Sequence, residues 1–302
     1  MKFSFKETEP NLKTMQSRFM YFFGVTNPKN FMVSDVEIQA GVDTVNRYKE
    51  MAAKSENQTI EITLAEREQI LRGVELMNSS TNDTGELVFK PFRMCGFVPV
   101  NIPILCGIVL SSPTMFNTIF FQWLNQSYNA GLNFGNKNST CEYTNTDLLG
   151  GYVAAVGSSI SVAVTLRKLT AGMTATATGK KLLLLNTIVG GTAGGCASFC
   201  NTFFMRMAET QKGIDVFKDE ELTEKAGVSK KCAESAVIET AMSRSAMSLI
   251  SVFTPCAMIL TLGMMGVRPK NSSIKTLLEV NCIALALLLG LPASVAIFPP
   301  VS

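Results

Sequence analysis

The sequence predicts an all-α, polytopic helical membrane protein with about five transmembrane helices and a small helical N-terminal domain. Charged residues make up only 17% of the 302 residues, below the ~25% usual for soluble domains. Residues 1–94 hold 12 of the 27 Lys and Arg and 13 of the 24 Asp and Glu. The rest of the chain contains five long windows without a charged residue, and about 20 apolar residues of helix suffice to cross a bilayer.

Residues 1–93 are predicted to form an amphipathic helical domain. The motifs SDVE (Ser34 to Glu37) and TLAE (Thr63 to Glu66) have the pattern of capping boxes, in which a hydroxyl and a glutamate satisfy the first free amides of a helix. Apolar residues follow each motif at helical spacing, giving each helix one apolar face: Ile38, Val42 and Val45, and then Leu64, Leu71, Val74 and Met77. We expect these faces to pack on each other or on the membrane domain.

Residues 94–302 are predicted to form the transmembrane domain. The five spans are expected at about 94–110, 148–166, 182–205, 245–267 and 277–298, with an amide-rich segment at 120–136 and a soluble loop at 206–244. Pro99 and Pro103 interrupt the first span, which is typical of cavity-lining helices in transporters and also of purely structural kinks. The glycines between Gly190 and Gly195 predict close helix packing in the third span.

The distribution of basic residues predicts the orientation. Short loops after the second and fourth spans are basic, and five spans place the N-terminal domain on their side of the membrane: Arg167, Lys168, Lys180, Lys181, Arg268, Lys270 and Lys275. The positive-inside rule makes this the cytosol-like side, which is the matrix in a mitochondrion. The longer loop 206–244, with 7 basic and 8 acidic residues, disagrees, but short loops carry more weight.

Other function classes receive little support. The net charge of +3 does not indicate a nucleic-acid partner. The chain has no histidine, the commonest metal ligand and general base, and no cysteine pair has metal-type spacing. We therefore expect no metal site.

The segment FFQWLNQSYNAGLNFGN (Phe120 to Asn136) carries an unusual row of amides. Gln122, Asn125, Gln126, Asn129 and Asn133, here called the amide stripe, lie on adjoining faces of one helix because their spacing is three and four residues. An unpaired buried amide costs a few kcal/mol, so the stripe needs partners. Three interpretations remain open: an interfacial helix, a hydrogen-bonded helix contact, or coordination of a polar solute without net charge.

The same segment resembles the Q-W-x-N-Q-S-x-N-A-x-x-N-x-x-N signature of the sideroflexins. Seven further stretches are similar to family motifs and occur in family order: YFFGVTNPKN from Tyr21, DTGE from Asp83, VPVNIPILCG from Val98, NTFFMR from Asn201, GIDV from Gly213, SRSAM from Ser243 and AIFP from Ala296. The resemblance covers most of the chain.

The resemblance implies a mitochondrial inner-membrane protein with about five spans, a matrix N-terminus and no presequence. It implies transport of serine or related small neutral amino acids, which supports one-carbon metabolism, and neither catalytic residues nor a cofactor are expected. The partners are then the lipid bilayer and the amino acid. The expected substrate-binding residues are Asn101, Gln122, Asn125, Gln126, Asn129, Asn133 and Asn201, and the family-motif residues are Asp83, Thr84, Gly85, Glu86, Arg206 and Arg244.

The chain departs from the family pattern at several positions that bear on function. Thr81-Asn82 replaces a His-Pro pair, and Phe203, Ile250 and Cys256 stand where the family has prolines. Lost helix breaks predict lost moving parts. The alternative hypothesis is therefore a non-transporting structural subunit of a large inner-membrane assembly, such as a respiratory-chain complex, in which other subunits hold the chain's ends.

Overall fold

The computed structural model describes residues 1–8, 12–55, 58–82, 84–111, 114–136, 144–218, 225–267, 269 and 271–297. Within these residues, ten α-helices and two small antiparallel sheets form an N-terminal domain and a helical bundle, which confirms the predicted fold class apart from the short strands. The elements are β1 (Lys2–Ser4), α1 (Met15–Val25), α2 (Asp35–Ala53), β2 (Thr59–Glu61), α3 (Leu64–Ser80), α4 (Phe97–Leu110), α5 (Met115–Gly135), α6 (Asn145–Thr176), α7 (Gly179–Met205), α8 (Met207–Lys212), β3 (Ile214–Phe217), β4 (Lys225–Ser229), α9 (Lys230–Met264) and α10 (Ser272–Ala296).

The N-terminal domain is built on α2 and α3. Both helices begin where the caps predict: Thr63 forms both bonds of its capping box, whereas Ser34 shows only the bond from the Glu37 N–H. The predicted apolar faces meet, with Ile38 and Val42 packed against Leu76. Strand β1 pairs with β2, and the Met1 ammonium donates to the Ile62 carbonyl over 2.7 Å. Contacts within this chain therefore fix the position of its first residues.

The bundle helices α4, α5, α6, α7, α9 and α10 alternate in direction. Asn136, at the end of α5, donates to the Phe92 carbonyl just before α4 (2.9 Å), so these two helices form an antiparallel hairpin. Gly151, near the start of α6, likewise lies beside Met205 at the end of α7. Later helices make pairs of contacts whose residue numbers rise along one helix and fall along the other: Gly191–Phe253 and Arg206–Thr240 for α7 and α9, and Ile250–Gly290 and Ser243–Ser294 for α9 and α10.

Three described helical segments are long and apolar enough to cross a membrane: Leu148–Met173, Lys230–Met264 and Ser272–Ala296. A shorter apolar segment, Met94–Ile108, covers most of α4. The helical membrane architecture therefore holds, while the predicted number of five spans is not established.

Two predicted segments have a different structure. The soluble loop predicted over 206–244 consists instead of α8, the β3–β4 hairpin and the first turns of α9. Helix α9 starts early because Ala233, Val237 and Ala241, spaced four residues apart, bury completely against the bundle. The second predicted span, 148–166, continues in α6 to Thr176.

Helix α5 also changes which segments share a side with the N-terminal domain. The prediction counted five spans and did not count the amide-rich segment, whereas α5 runs back to the level of Phe92. The N-terminal domain, the end of α7 and the end of α10 consequently share one end of the bundle; Arg18 of α1 donates to the Ala296 carbonyl (2.9 Å). Basic residues near the end of α6 and the starts of α7 and α10 lie at the opposite end, so they do not share a side with the N-terminal domain: Arg167, Lys168, Lys180, Lys181 and Lys275. Arg268 and Lys270 lie outside the described residues.

Candidate solute site

A cleft opens between α4, α5, α7, α9 and α10. The cleft is narrow and partly open to its surroundings. Its lining includes four of the seven predicted substrate-binding residues: Asn101 from α4, and Gln122, Asn125 and Asn129 from α5.

The wall opposite these amides consists mostly of small residues. Helix α7 contributes Gly190 and Gly194, and α9 contributes Ser248 and Ser251. The remaining lining is apolar: Phe97, Leu105, Ile108, Met247, Val252 and Leu287. Amides and hydroxyls offer both donors and acceptors, and none of these lining residues carries a charge, so the cleft suits a small polar solute without net charge.

Backbone geometry and side-chain bonds hold the polar lining in place. Pro103 lies inside α4, where a missing N–H disturbs the helix ladder, and the Asn101 Nδ2 donates to the Phe97 carbonyl one turn earlier (2.8 Å). On α5, Gln122 accepts from the Ser159 hydroxyl (3.4 Å). Ser248 shares a short hydrogen bond with Ser198, which joins α9 to α7 beside the cleft.

The other three predicted residues form a contact between α5 and α7, here called the amide clamp. Asn201 Nδ2 donates to Gln126 Oε1 (2.8 Å), and Asn133 Nδ2 reaches Asn201 Oδ1 (3.4 Å). Gln126 and Asn201 are 0% and 1% exposed. The stripe is therefore divided: one face lines the cleft and the adjoining face joins two helices.

Two residue types in the lining were not predicted as site residues. The glycines were interpreted only as packing residues, yet Gly190 and Gly194 leave open space beside the amides. Ser248 and Ser251 gave no signal on their own, because serine is common in membrane helices. The only signal in the sequence was their spacing of four and seven residues from Arg244, which places all three on one face of a helix.

Comparison with known proteins decides the family. The family model of the sideroflexins matches residues 5–302. The chain belongs to the sideroflexins. It is 30% identical to Sideroflexin-5 of Homo sapiens over 287 residues, which cover 94% of this chain and 81% of that protein. It is 29% identical to Sideroflexin of Dictyostelium discoideum (95% and 84% covered) and 27% identical to Sideroflexin-3 of Mus musculus (99% and 88% covered). No solved structure matches the chain.

In this sideroflexin, the family-motif residues that the structure describes lie outside the cleft lining. Thr84, Gly85 and Glu86 form a loop around Asn82, whose Oδ1 accepts from the Thr84 N–H (3.1 Å), the Thr84 hydroxyl (2.7 Å) and the Glu86 N–H (2.9 Å). Gly85 has a φ of 83°, which glycine adopts without strain. Asp83 lies outside the described residues.

The two family-motif arginines lie close together at the N-terminal-domain end of the bundle. Arg206 caps α7 and binds both carboxylate oxygens of Glu209 over 2.7 Å. Arg244 is half-buried in α9 and interacts electrostatically with Arg206 and Tyr128. Each arginine adjoins a charge-free window of the sequence, so we expect both at a membrane edge and not at the bilayer centre.

Proposed function

We propose that this sideroflexin transports serine or related small neutral amino acids across the mitochondrial inner membrane and so supports one-carbon metabolism. The observation that carries the proposal is the cleft, in which Asn101, Gln122, Asn125 and Asn129 face two glycines and two serines with no charged residue in the lining.

The chemistry of the lining favours this class of solute. A neutral amino acid is a zwitterion with no net charge, so donors and acceptors in the lining suit it without a charged lining residue. Amide oxygens accept from an ammonium group, and amide nitrogens and hydroxyls donate to oxygen atoms. An amino acid with a charged side chain would bring an extra charge to a lining without a countercharge, and burial of an unpaired charge is costly.

The cellular location is part of the proposal and rests on the family resemblance. Membership of the sideroflexins supports an inner-membrane protein with its N-terminus in the matrix. The basic residues near the end of α6 and the starts of α7 and α10 then face the intermembrane space, contrary to the positive-inside rule. Orientation must therefore be measured.

Uptake by the purified chain in proteoliposomes tests the function. Labelled serine should accumulate faster than in protein-free vesicles, and unlabelled alanine should compete because it has the same charge and a smaller side chain. Aspartate and lysine should compete poorly. Serine uptake no faster than in protein-free vesicles would contradict the proposal.

One observation favours the alternative of a non-transporting structural subunit. Ile250, which stands where the family has a proline, packs closely against Gly290 of α10. Helix α9 keeps Pro255, but the loss of other prolines and this close packing favour a fixed bundle over a moving one. In that case, native electrophoresis of inner membranes would find the chain in a large assembly with other subunits, and purified chain would show no uptake.

A further inference from the structure

Arg244 stands out because its guanidinium has no hydrogen-bond or ion-pair partner among the described residues. It is half-buried in α9. The neighbouring Arg206 differs: it binds Glu209 and also donates to the Thr240 hydroxyl (3.1 Å). Buried or partly buried arginines are usually paired, so Arg244 offers an unused set of donors.

The hydroxyl of Tyr128, on α5, is a second polar group near Arg244 without a described hydrogen-bond partner. The residue is 5% exposed, and its hydroxyl has no hydrogen-bond partner among the described residues. It interacts electrostatically with Arg244. A buried hydroxyl without a partner is unfavourable, and such exceptions in native proteins call for an explanation.

The pair lies at the end of the cleft. Arg244, Ser248 and Ser251 share one face of α9 because they are four and three residues apart, and both serines line the cleft. Phe97 and Met247, also in the lining, pack in one apolar cluster with Tyr128. Arg244 is thus about one helical turn beyond the lining, toward the N-terminal domain.

We propose that Arg244 and the Tyr128 hydroxyl bind the carboxylate of the transported amino acid at this end of the cleft. The inference rests on the proposed function and names the group that recognises the acidic half of the solute. A guanidinium matches a carboxylate with two parallel hydrogen bonds. The amides of the cleft are left for the ammonium group and the side chain.

Two substitutions test the assignment. Arg244→Gln and Tyr128→Phe should each raise the apparent KM for serine uptake, Arg244→Gln by about tenfold or more because it removes a charge-assisted hydrogen bond. Ethanolamine, which is serine without its carboxylate and carries a net positive charge, should inhibit wild type weakly, and its inhibition should not weaken further in either variant. Tyr128→Phe should melt no lower than wild type in detergent, since the lost hydroxyl has no partner in the protein. Arg206→Gln is the control: it should lower the melting temperature because it leaves Glu209 unpaired.

A binding readout separates this inference from the proposed function. Serine should raise the melting temperature of detergent-solubilised wild type but not of Arg244→Gln. Binding that depends on Arg244 without any uptake would support the carboxylate site and overturn transport. Uptake with an unchanged KM in Arg244→Gln would overturn the carboxylate site alone, as would a defect that appears only in vesicles containing anionic lipid, which would assign Arg244 to a lipid headgroup. Neither binding nor uptake of serine by wild type would overturn both.

Discussion

At the residue scale, Glu66 makes the stability of the N-terminal domain depend on pH. Its carboxylate accepts from the Thr63 N–H and hydroxyl and from the Tyr48 hydroxyl, over 2.7 to 2.8 Å. These bonds, led by the one from the Thr63 backbone, lower the pKa of Glu66 from 4.5 to about 2. A carboxyl whose pKa is lowered by folding stabilises the fold above its unfolded pKa, and this contribution disappears as the pH falls from about 4.5 to about 2.

We therefore expect Glu66→Gln to lower the melting temperature at pH 7, with a gap to wild type that narrows below pH 4.5. Thermal unfolding of the full chain in detergent at pH 7, 4.5 and 3 would measure it. Glu68→Gln, on the exposed face of the same helix, serves as the matched control. A gap of constant size between pH 7 and pH 3 would show that the carboxylate's hydrogen bonds do not stabilise the folded state.

Residue-scale prediction succeeded where the signal is local and failed where it is not. The helix cap at Thr63 depends only on Glu66, three residues later, so the local sequence motif alone predicts where α3 begins. Asn30, which is 0% exposed, accepts from the Arg72 guanidinium (2.8 Å) and donates to Glu75 (3.0 Å). Both partners are on α3, more than 40 residues further along the chain, so no local pattern around Asn30 indicates its role.

At the element scale, the close contact of α4 and α5 positions Asn101 opposite the amide stripe. A methyl group at Gly107 would overlap the ring of Phe121 on α5. Gly107→Ala should therefore destabilise the bundle by about 1–3 kcal/mol, a typical cost of overpacking, and should also lower uptake by displacing the amides.

Melting temperature and uptake of Gly107→Ala would be compared with those of Gly157→Ala. Gly157 lies on the exposed side of α6 with nothing within 4 Å of an added methyl, and alanine favours a helix over glycine by up to ~1 kcal/mol. The control should thus equal or exceed wild type in stability. Equal stability of Gly107→Ala and wild type would mean that the hairpin contact is not tight.

Charge-free windows predicted the ends of helices better than their starts. The predicted spans at 182–205 and 277–298 end at or near the last residues of α7 and α10, but both helices begin earlier and include charged residues in their first turns. Helix α9 begins far earlier than its charge-free window because small apolar residues at four-residue spacing bury among charged neighbours. The amide stripe did predict a helix, but spacing alone could not show that Asn125 and Asn129 face a cleft while Gln126 faces Asn201; that division depends on which helices surround α5.

At the scale of the whole molecule, the antiparallel hairpin of α4 and α5 predicts the sidedness of the chain. The N-terminal domain and the start of α10 should face opposite sides of the membrane. With the eight native cysteines replaced by serine, Lys54→Cys reports on the N-terminal domain and Ser273→Cys on the start of α10; both side chains are exposed.

An impermeant thiol reagent applied to mitochondria with ruptured outer membranes should modify Ser273→Cys, and should modify Lys54→Cys only after detergent. If instead Lys54→Cys is modified directly and Ser273→Cys only after detergent, the two positions still lie on opposite sides of the membrane, but the N-terminus is outside the matrix. Labelling of both positions from one side would contradict the alternating bundle. The sequence could not predict this arrangement, because an amide-rich helix does not meet the hydrophobicity expected of a span.

The most direct test of the account is a paired measurement of serine uptake and melting temperature for single amide substitutions. Asn125→Ala and Asn129→Ala, in the cleft, should lower uptake by about tenfold, since an unmet polar group on the solute costs ~1–3 kcal/mol, and should leave the melting temperature near that of wild type. Asn201→Ala, in the amide clamp, should lower the melting temperature because Gln126 and Asn133 lose their partner. Unchanged uptake in both cleft variants would contradict a solute site at these amides, whatever the result for Asn201→Ala.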